Sequence, residues 1–371
     1  MISCEGFARK DESLSIKINP TFYYQDTVKM KKVSTFVDEY LKIHNNLNIV
    51  VESDWIVPSE RNNWPVPDIE IQGIEYSPRF KKEGFYKPSI IAIRDLNAEI
   101  TMVKIAYMHG FENGDAILAC IFDLYLVEID SRFYIYPQTP FLTKMWNRKN
   151  IGNITFVYDK NHVFNDSLAK LSDHFNSTIS KFFNMPTLKY EYFISENSYQ
   201  LYQIKGFNFS ELMNFTNQYA GSADIINYKL FSGNGCEYYP HEQVHLYASK
   251  YFGNTFHLYS EGLATYFGGS RGYSLEKHIQ KLKKYLNKHK EINLNNLLDY
   301  EGAIDDTTNI EYTLGGLLCA TLIKKIGKNR FIELVDKTSS NPNNFYILLC
   351  DALKIKKEEL HQNLIKEIEK Y

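Results

Sequence analysis

The sequence predicts an α+β fold in two successive parts, a helix with an antiparallel sheet and then a small sheet followed mostly by helices. Three observations carry this. Apolar residues between Val28 and His44 recur at helical spacing (Val33, Phe36, Val37, Tyr40, Leu41). From Glu99 to Tyr136 the period changes to runs of β-branched and aromatic residues separated by turn sequences. Beyond residue 237 the pattern is almost entirely helical, with short strand-like runs before it.

Taken in order, residues 1–20 read as a flexible lead. Met1-Ile2-Ser3-Cys4 resembles the end of a bacterial lipoprotein signal, in which a small residue precedes the lipidated cysteine. This makes Cys4 a candidate lipid anchor and the cell envelope or the exterior the expected location. An ordinary cytoplasmic start is the alternative. Residues 21–148 form the first expected domain. Its helix is followed by an irregular stretch carrying Trp55, Pro58, Trp64, Pro65 and Pro67. Strands are expected at Glu99–Met108, Ala116–Ile129 and Phe133–Tyr136, with turns at Glu112-Asn113-Gly114-Asp115 and Asp130-Ser131-Arg132. That element order resembles cystatin-like or NTF2-like folds, and the domain's role is open.

Residues 149–371 form the second expected domain. Asn153–Tyr158 reads as a strand. Asn165 or Asp166 caps a helix whose apolar face is Leu168, Leu171, Phe175, Ile179 and Phe182. Leu188–Ile194 and Ile225–Phe231 read as further strands, the latter as a free edge able to pair with an extended peptide. There is no internal repeat.

Composition excludes several classes. A formal net charge of -2 argues against a nucleic-acid footprint, and the lysines at 281–290 read as a solvated helix face. No apolar run is long enough for a transmembrane helix. The five cysteines show no CxxC or metal-cluster spacing, and Cys120 and Cys319 sit in apolar stretches as expected buried thiols.

The chemistry centres on His241-Glu242-Gln243-Val244-His245. Histidines four apart project from one helix face and can share one metal ion, and the adjacent glutamate is placed to take a proton from a metal-activated water. Chance supplies such a pentapeptide in about 2% of chains of this composition, so the flanking sequence decides. Pro240 suits a first helical turn, Val244, Leu246, Tyr247 and Tyr251 continue the helix, and Gly253-Asn254 can stop it. A third ligand is still needed. A histidine six residues after His245 would occupy position 251, which is tyrosine. The next candidate is Glu261, in Tyr259-Ser260-Glu261-Gly262-Leu263-Ala264. Here Ser260 can cap a second helix and Gly262 can let it approach the first. His257 is the rival ligand.

Glu-Gly-apolar-Ala on a second helix after H-E-x-x-H resembles the gluzincin zinc metallopeptidases (peptidase MA-like), especially the M1 aminopeptidase branch. The resemblance implies a thermolysin-like catalytic domain with one Zn2+ per chain held by His241, His245 and Glu261, and Glu242 as general base and acid. Tyr312-Thr313-Leu314-Gly315-Gly316, opening an apolar helix that ends at Ile326-Gly327, is similar to the Tyr-x-x-Gly helix of that superfamily, which implies Tyr312 as an oxyanion donor. The resemblance covers roughly residues 150–340 and departs in two respects. Only 15 residues separate His245 from Glu261, a shorter spacer than is usual in the branch. No Gly-x-Met-Glu-Asn segment precedes His241, the nearest region being Ala220-Gly221-Ser222-Ala223-Asp224, so an endopeptidase-like action on a peptide or protein is expected rather than aminopeptidase action.

Two other readings stay open: a non-catalytic envelope binding protein whose metal domain is structural or degenerate, and a zinc hydrolase of another amide or ester. The intact Glu242 weighs against degeneracy. Asp305, Asp306 and Glu237 are unranked candidates to support the ligands.

Overall fold

The structure is a computed structural model that describes residues 16–19, 23–43, 54–76, 87–111, 113–214, 220–252 and 256–371. The expectations at Cys4, Glu112 and Gly253-Asn254 lie outside them. The fold is α+β, as predicted, with two compact units: Met1–Met145 with Ser198–Thr216, and Trp146–Asn197 with Asn217–Tyr371.

The first unit opens with β1 (Lys17–Ile18), inside the stretch expected as a lead and paired parallel to β2 (Lys87–Asp95). Between them lie α1 (Thr27–Ile43) and α2 (Ile69–Tyr76). Then come β3 (Ile100–Gly110), β4 (Ala116–Ile129), β5 (Arg132–Tyr136) and the short α3 (Gln138–Leu142). Strands β2 to β5 form an antiparallel meander. Asp130 and Ser131 have φ of 51° and 65°, the two left-handed residues that a two-residue hairpin needs to match strand twist. Helix α1 buries Val33, Val37, Tyr40 and Leu41 in one cluster with Val103, Ile105, Leu124 and Ile135. The helical stripe and the strand alternation thus meet face to face.

The second unit begins with β6 (Asn147–Ile151) and β7 (Ile154–Tyr158), followed by α4 (Asp166–Phe183) and β8 (Tyr190–Ile194). Asn165 caps α4, its side chain accepting from the Ser167 and Leu168 amides. The buried face of α4 differs from the predicted one. Ala169, Ser172, Asn176, Ile179 and Phe183 point inward, whereas Leu171 is exposed. The rotation has a polar cause. Asn176 donates to the Leu188 carbonyl and accepts from the Tyr247 hydroxyl, and the Ser172 carbonyl accepts from Gln243, so these groups are satisfied inside.

The chain next contributes α5 (Ser198–Ile204) and β9 (Phe207–Ser210) to the first unit, β9 pairing antiparallel with β4. In the second unit follow β10 (Ala220–Asp224) and β11 (Lys229–Gly233), giving a sheet of order β10-β11-β8-β7-β6. The strand expected at Ile225–Phe231 therefore starts later and is not an edge, because β10 and β8 pair with β11 on either side. The cause is Asp224, whose carboxylate accepts from the Ile226 and Asn227 amides and makes those residues the turn. Among the described residues the edge on that side is β10.

Helices supply the rest: α6 (Pro240–Phe252), α7 (His257–Gly268), α8 (Leu275–Lys288), α9 (Ile310–Ile326), α10 (Lys328–Ser340), α11 (Phe345–Leu353) and α12 (Leu360–Ile368), with β12 (Ala303–Asp305) and β13 (Thr308–Asn309) before α9. Leu275, His278, Ile279, Leu282 and Leu286 form the buried stripe of α8, leaving its lysines on the outer face as predicted. Cys120 and Cys319 are buried thiols. No helix among the described residues is long and apolar enough to cross a membrane.

Candidate metal centre

Helix α6 starts at Pro240, whose missing N–H costs nothing in a first turn. Its body is anchored by buried Val244, Leu246, Tyr247 and Ala248 and by Gln243 donating to the Ser172 carbonyl, which fixes the rotation of His241 and His245 about the axis. Their rings lie 5.0 Å apart, centroid to centroid.

Helix α7 supplies the third group, though not with the local structure predicted. Its first residue is His257, one turn before the expected cap, because the Tyr259 and Ser260 amides already bond the Phe256 carbonyl. Ser260 thus lies inside the helix, and its hydroxyl meets His245 Nδ1 at 3.2 Å. Gly262 does not bring α7 to α6. A Cβ there would lie 2.4 Å from the Gly315 carbonyl carbon of α9, whereas α6 is approached by Gly268, whose Cβ would lie 2.4 Å from the His241 nitrogen. Three glycines thus set two backbone contacts around Glu261.

His241, His245 and Glu261 each offer one ligand atom within 4.8 Å of the others. His241 Nε2 is 3.3 Å from one carboxylate oxygen of Glu261, and His245 Nε2 is 3.6 Å from the other. A four-coordinate zinc ion with bonds near 2.0–2.1 Å separates its ligand atoms by roughly 3.3 Å, close to the two histidine–glutamate separations. The outer ring nitrogens fit as well. His241 Nδ1 lies 2.7 Å from the Gly269 carbonyl oxygen, which can only accept, so Nδ1 donates and Nε2 is the ring atom turned to the cluster: protonated it donates to Glu261, deprotonated it offers its lone pair to an ion. Ser260 can accept from His245 in the same way.

The electrostatics favour a carboxylate among histidines. Burial would raise Glu261, but the hydrogen bond from His241 and the fields of His245 and His241 outweigh it and hold the carboxyl at about 2. Burial pulls His245 below the ordinary histidine range. Burial pulls His241 the same way, but the hydrogen bond to Glu261 and the Glu242 field prevail and raise it.

Glu242 is 9% exposed, and its charge is felt by His241, His245, Tyr239 and Tyr312. A Cβ on Gly221 of β10 would lie 2.9 Å from Glu242 Cγ, so the edge strand passes directly beside this carboxylate. Tyr312, in the first turn of α9 and held by Asn309 accepting from its amide, stacks on His241 with centroids 6.1 Å apart and planes 21° apart. Burial, then the charge of Glu261 and a hydrogen bond to it, push the phenol well up, so it stays protonated as a donor.

The other candidates stand elsewhere. The largely exposed His257 places Nδ1 2.7 Å from Glu311 and does not join the cluster. Glu237 is buried, accepting from His162 Nε2 and the Asn165 amide. Asp305 accepts from Lys281 and Thr307, and the Asp306 carbonyl accepts from Arg271. The groups that orient the histidines are Ser260 and Gly269. Neither belongs to the motif, and the only hint of them in the sequence is their position beside Glu261 and after Gly268.

No protein-family model matches this chain, and no curated protein matches it.

Proposed function

We propose that this protein is a zinc-dependent peptidase of gluzincin type, acting within peptides or proteins. The observation that carries the reading is the convergence of His241 Nε2, His245 Nε2 and Glu261 within 4.8 Å, with both outer imidazole nitrogens against oxygen atoms. His241, His245 and Glu261 would hold the ion, which supplies Lewis acidity toward a water and a carbonyl oxygen.

The remaining steps belong to side chains. Glu242 takes a proton from the attacking water, its carboxylate lying beside both histidines in a buried position. The same group then hands that proton to the departing amine nitrogen. The Tyr312 hydroxyl donates to the oxygen that gains negative charge as the carbonyl carbon becomes tetrahedral. An extended substrate can pair with the backbone of β10, which runs beside Glu242.

The test is hydrolysis of a mixed peptide library by the purified protein and by Glu242→Gln. The reading expects cleavage by the wild type, abolished in the variant while metal content is unchanged. Equal cleavage by both would remove Glu242 from its role.

A further inference from the structure

Next to His241 in the second unit opens a cleft of about 560 Å³. Its walls include Tyr238, Tyr239, Tyr266, Phe267 and Tyr273; among the described residues Arg271 is its one Lys or Arg and no Asp or Glu lines it. Tyr239 is the shared wall. Its phenol feels Glu242, Tyr312 and Glu261 from the centre and Arg271 from the cleft.

Arg271 is held in an unusual way. It and Gly272 are the two central residues of a tight turn, with φ of 47° and 78°, closed by hydrogen bonds in both directions between Ser270 and Tyr273. A left-handed conformation is unfavourable for a residue with a β-carbon and suits Gly or Asn at such positions. The turn is clamped from behind: the Ser270 carbonyl accepts from buried His278 Nε2 at 2.9 Å, and His278 Nδ1 lies 3.1 Å from Thr308 Oγ1. One arginine N–H donates to the Asp306 carbonyl at 2.9 Å. Among the described residues no carboxylate lies within ion-pairing distance of the guanidinium of half-buried Arg271. A guanidinium has five N–H donors in a fixed fork suited to a carboxylate. Two residues upstream, the Gly269 carbonyl holds His241, so the turn that aims Arg271 also orients a candidate ligand.

We propose that Arg271 binds a carboxylate of the substrate, and that the cleft selects peptides presenting one next to the bond that is cut. The inference rests on the peptidase reading for its geometry. The carboxylate has two sources, an Asp or Glu side chain or a free C-terminus.

Hexapeptides carrying Glu or Gln at each position in turn, each as C-terminal acid and as amide, distinguish the sources with the zinc-loaded full chain. The expected result is a kcat/KM ratio of about 10 or more for one carboxylate form over its neutral counterpart. Arg271→Gln should collapse that ratio, Arg271→Lys should retain part of it, and Arg271→Glu should favour Lys-containing peptides. Arg271→Gly relaxes the backbone and should unfold no earlier than wild type, separating lost recognition from lost folding. Binding of the same peptides to Glu242→Gln protein, followed by calorimetry, gives a readout that needs no turnover. A carboxylate preference there that Arg271→Gln removes supports the site even if no peptide is cut, which would count against the peptidase reading alone. Cleavage or binding with no carboxylate preference, or a preference that survives Arg271→Gln, overturns the proposal.

Discussion

Gly262 and Gly315 meet backbone to backbone: a Cβ on the first would lie 2.4 Å from the carbonyl carbon of the second, and one on Gly315 would lie 3.0 Å from Gly262 Cα. The contact fixes α7, which carries Glu261, against α9, which carries Tyr312. Backbone cannot swing aside as a side chain can, so Gly262→Ala must separate the helices. We expect a loss of ~1–3 kcal/mol or more in unfolding free energy, together with weaker metal binding. Denaturant unfolding of the variant measures the first effect, and an unchanged midpoint would contradict the close crossing.

Ser260 meets the candidate centre at His245, by the 3.2 Å contact to Nδ1. Ser260→Ala removes that partner without touching a ligand. Zinc affinity, measured by competition with a chromogenic chelator, should fall by roughly 10–100-fold while thermal stability of the chelator-treated protein changes little.

The Tyr312 hydroxyl can be deleted with its ring left stacked on His241. In the peptidase reading Tyr312→Phe lowers kcat by roughly 10²–10³-fold, leaving KM and zinc content near wild type. A matched fall in zinc content would instead make Tyr312 a support for the ligands.

Acid sensitivity has a nameable contributor in the second unit. Burial would raise Glu191, but Lys229 and Arg148, both ion-paired with it, hold its carboxyl below the usual range. A carboxyl depressed by folding stabilises the native state at pH above its unfolded value of about 4.3. That stability is lost as pH falls through the lower folded value. The difference in unfolding free energy between wild type and Glu191→Gln should therefore be constant above about pH 5 and shrink below it. A difference that grows on acidification would reverse the assignment.

Much of this was legible in residue patterns, where one physical preference dominated. Helix α1 shows its stripe, β3 to β5 their β-branched and aromatic runs, Asp130-Ser131 its turn, and Asn165 or Asp166 a cap, because each is a local property. Strand β2 was not expected, since Pro88 and the polar residues Lys87, Ser89 and Arg94 break its apolar run. Hydropathy ranks Leu171 above Asn176 and so points to a different face of α4, whereas Asn176 is satisfied by Leu188 and Tyr247, groups distant in sequence. At the candidate centre, His241, Glu242 and His245 were marked by a helical spacing. In the sequence Ser260 reads as a helix cap and Gly262 as a close approach to the first helix. Their true contacts, His245 and Gly315, depend on where α7 begins and on a crossing of helices, which no local pattern encodes.

The most direct test of the central claim is elemental analysis of the purified full chain alongside His245→Ala and Glu261→Ala. Wild type should carry about one zinc per chain, and both variants should lose most of it while remaining folded. A folded wild-type protein that takes up no zinc even when supplied with it would mean that His241, His245 and Glu261 are only a buried polar cluster, and the account would fail.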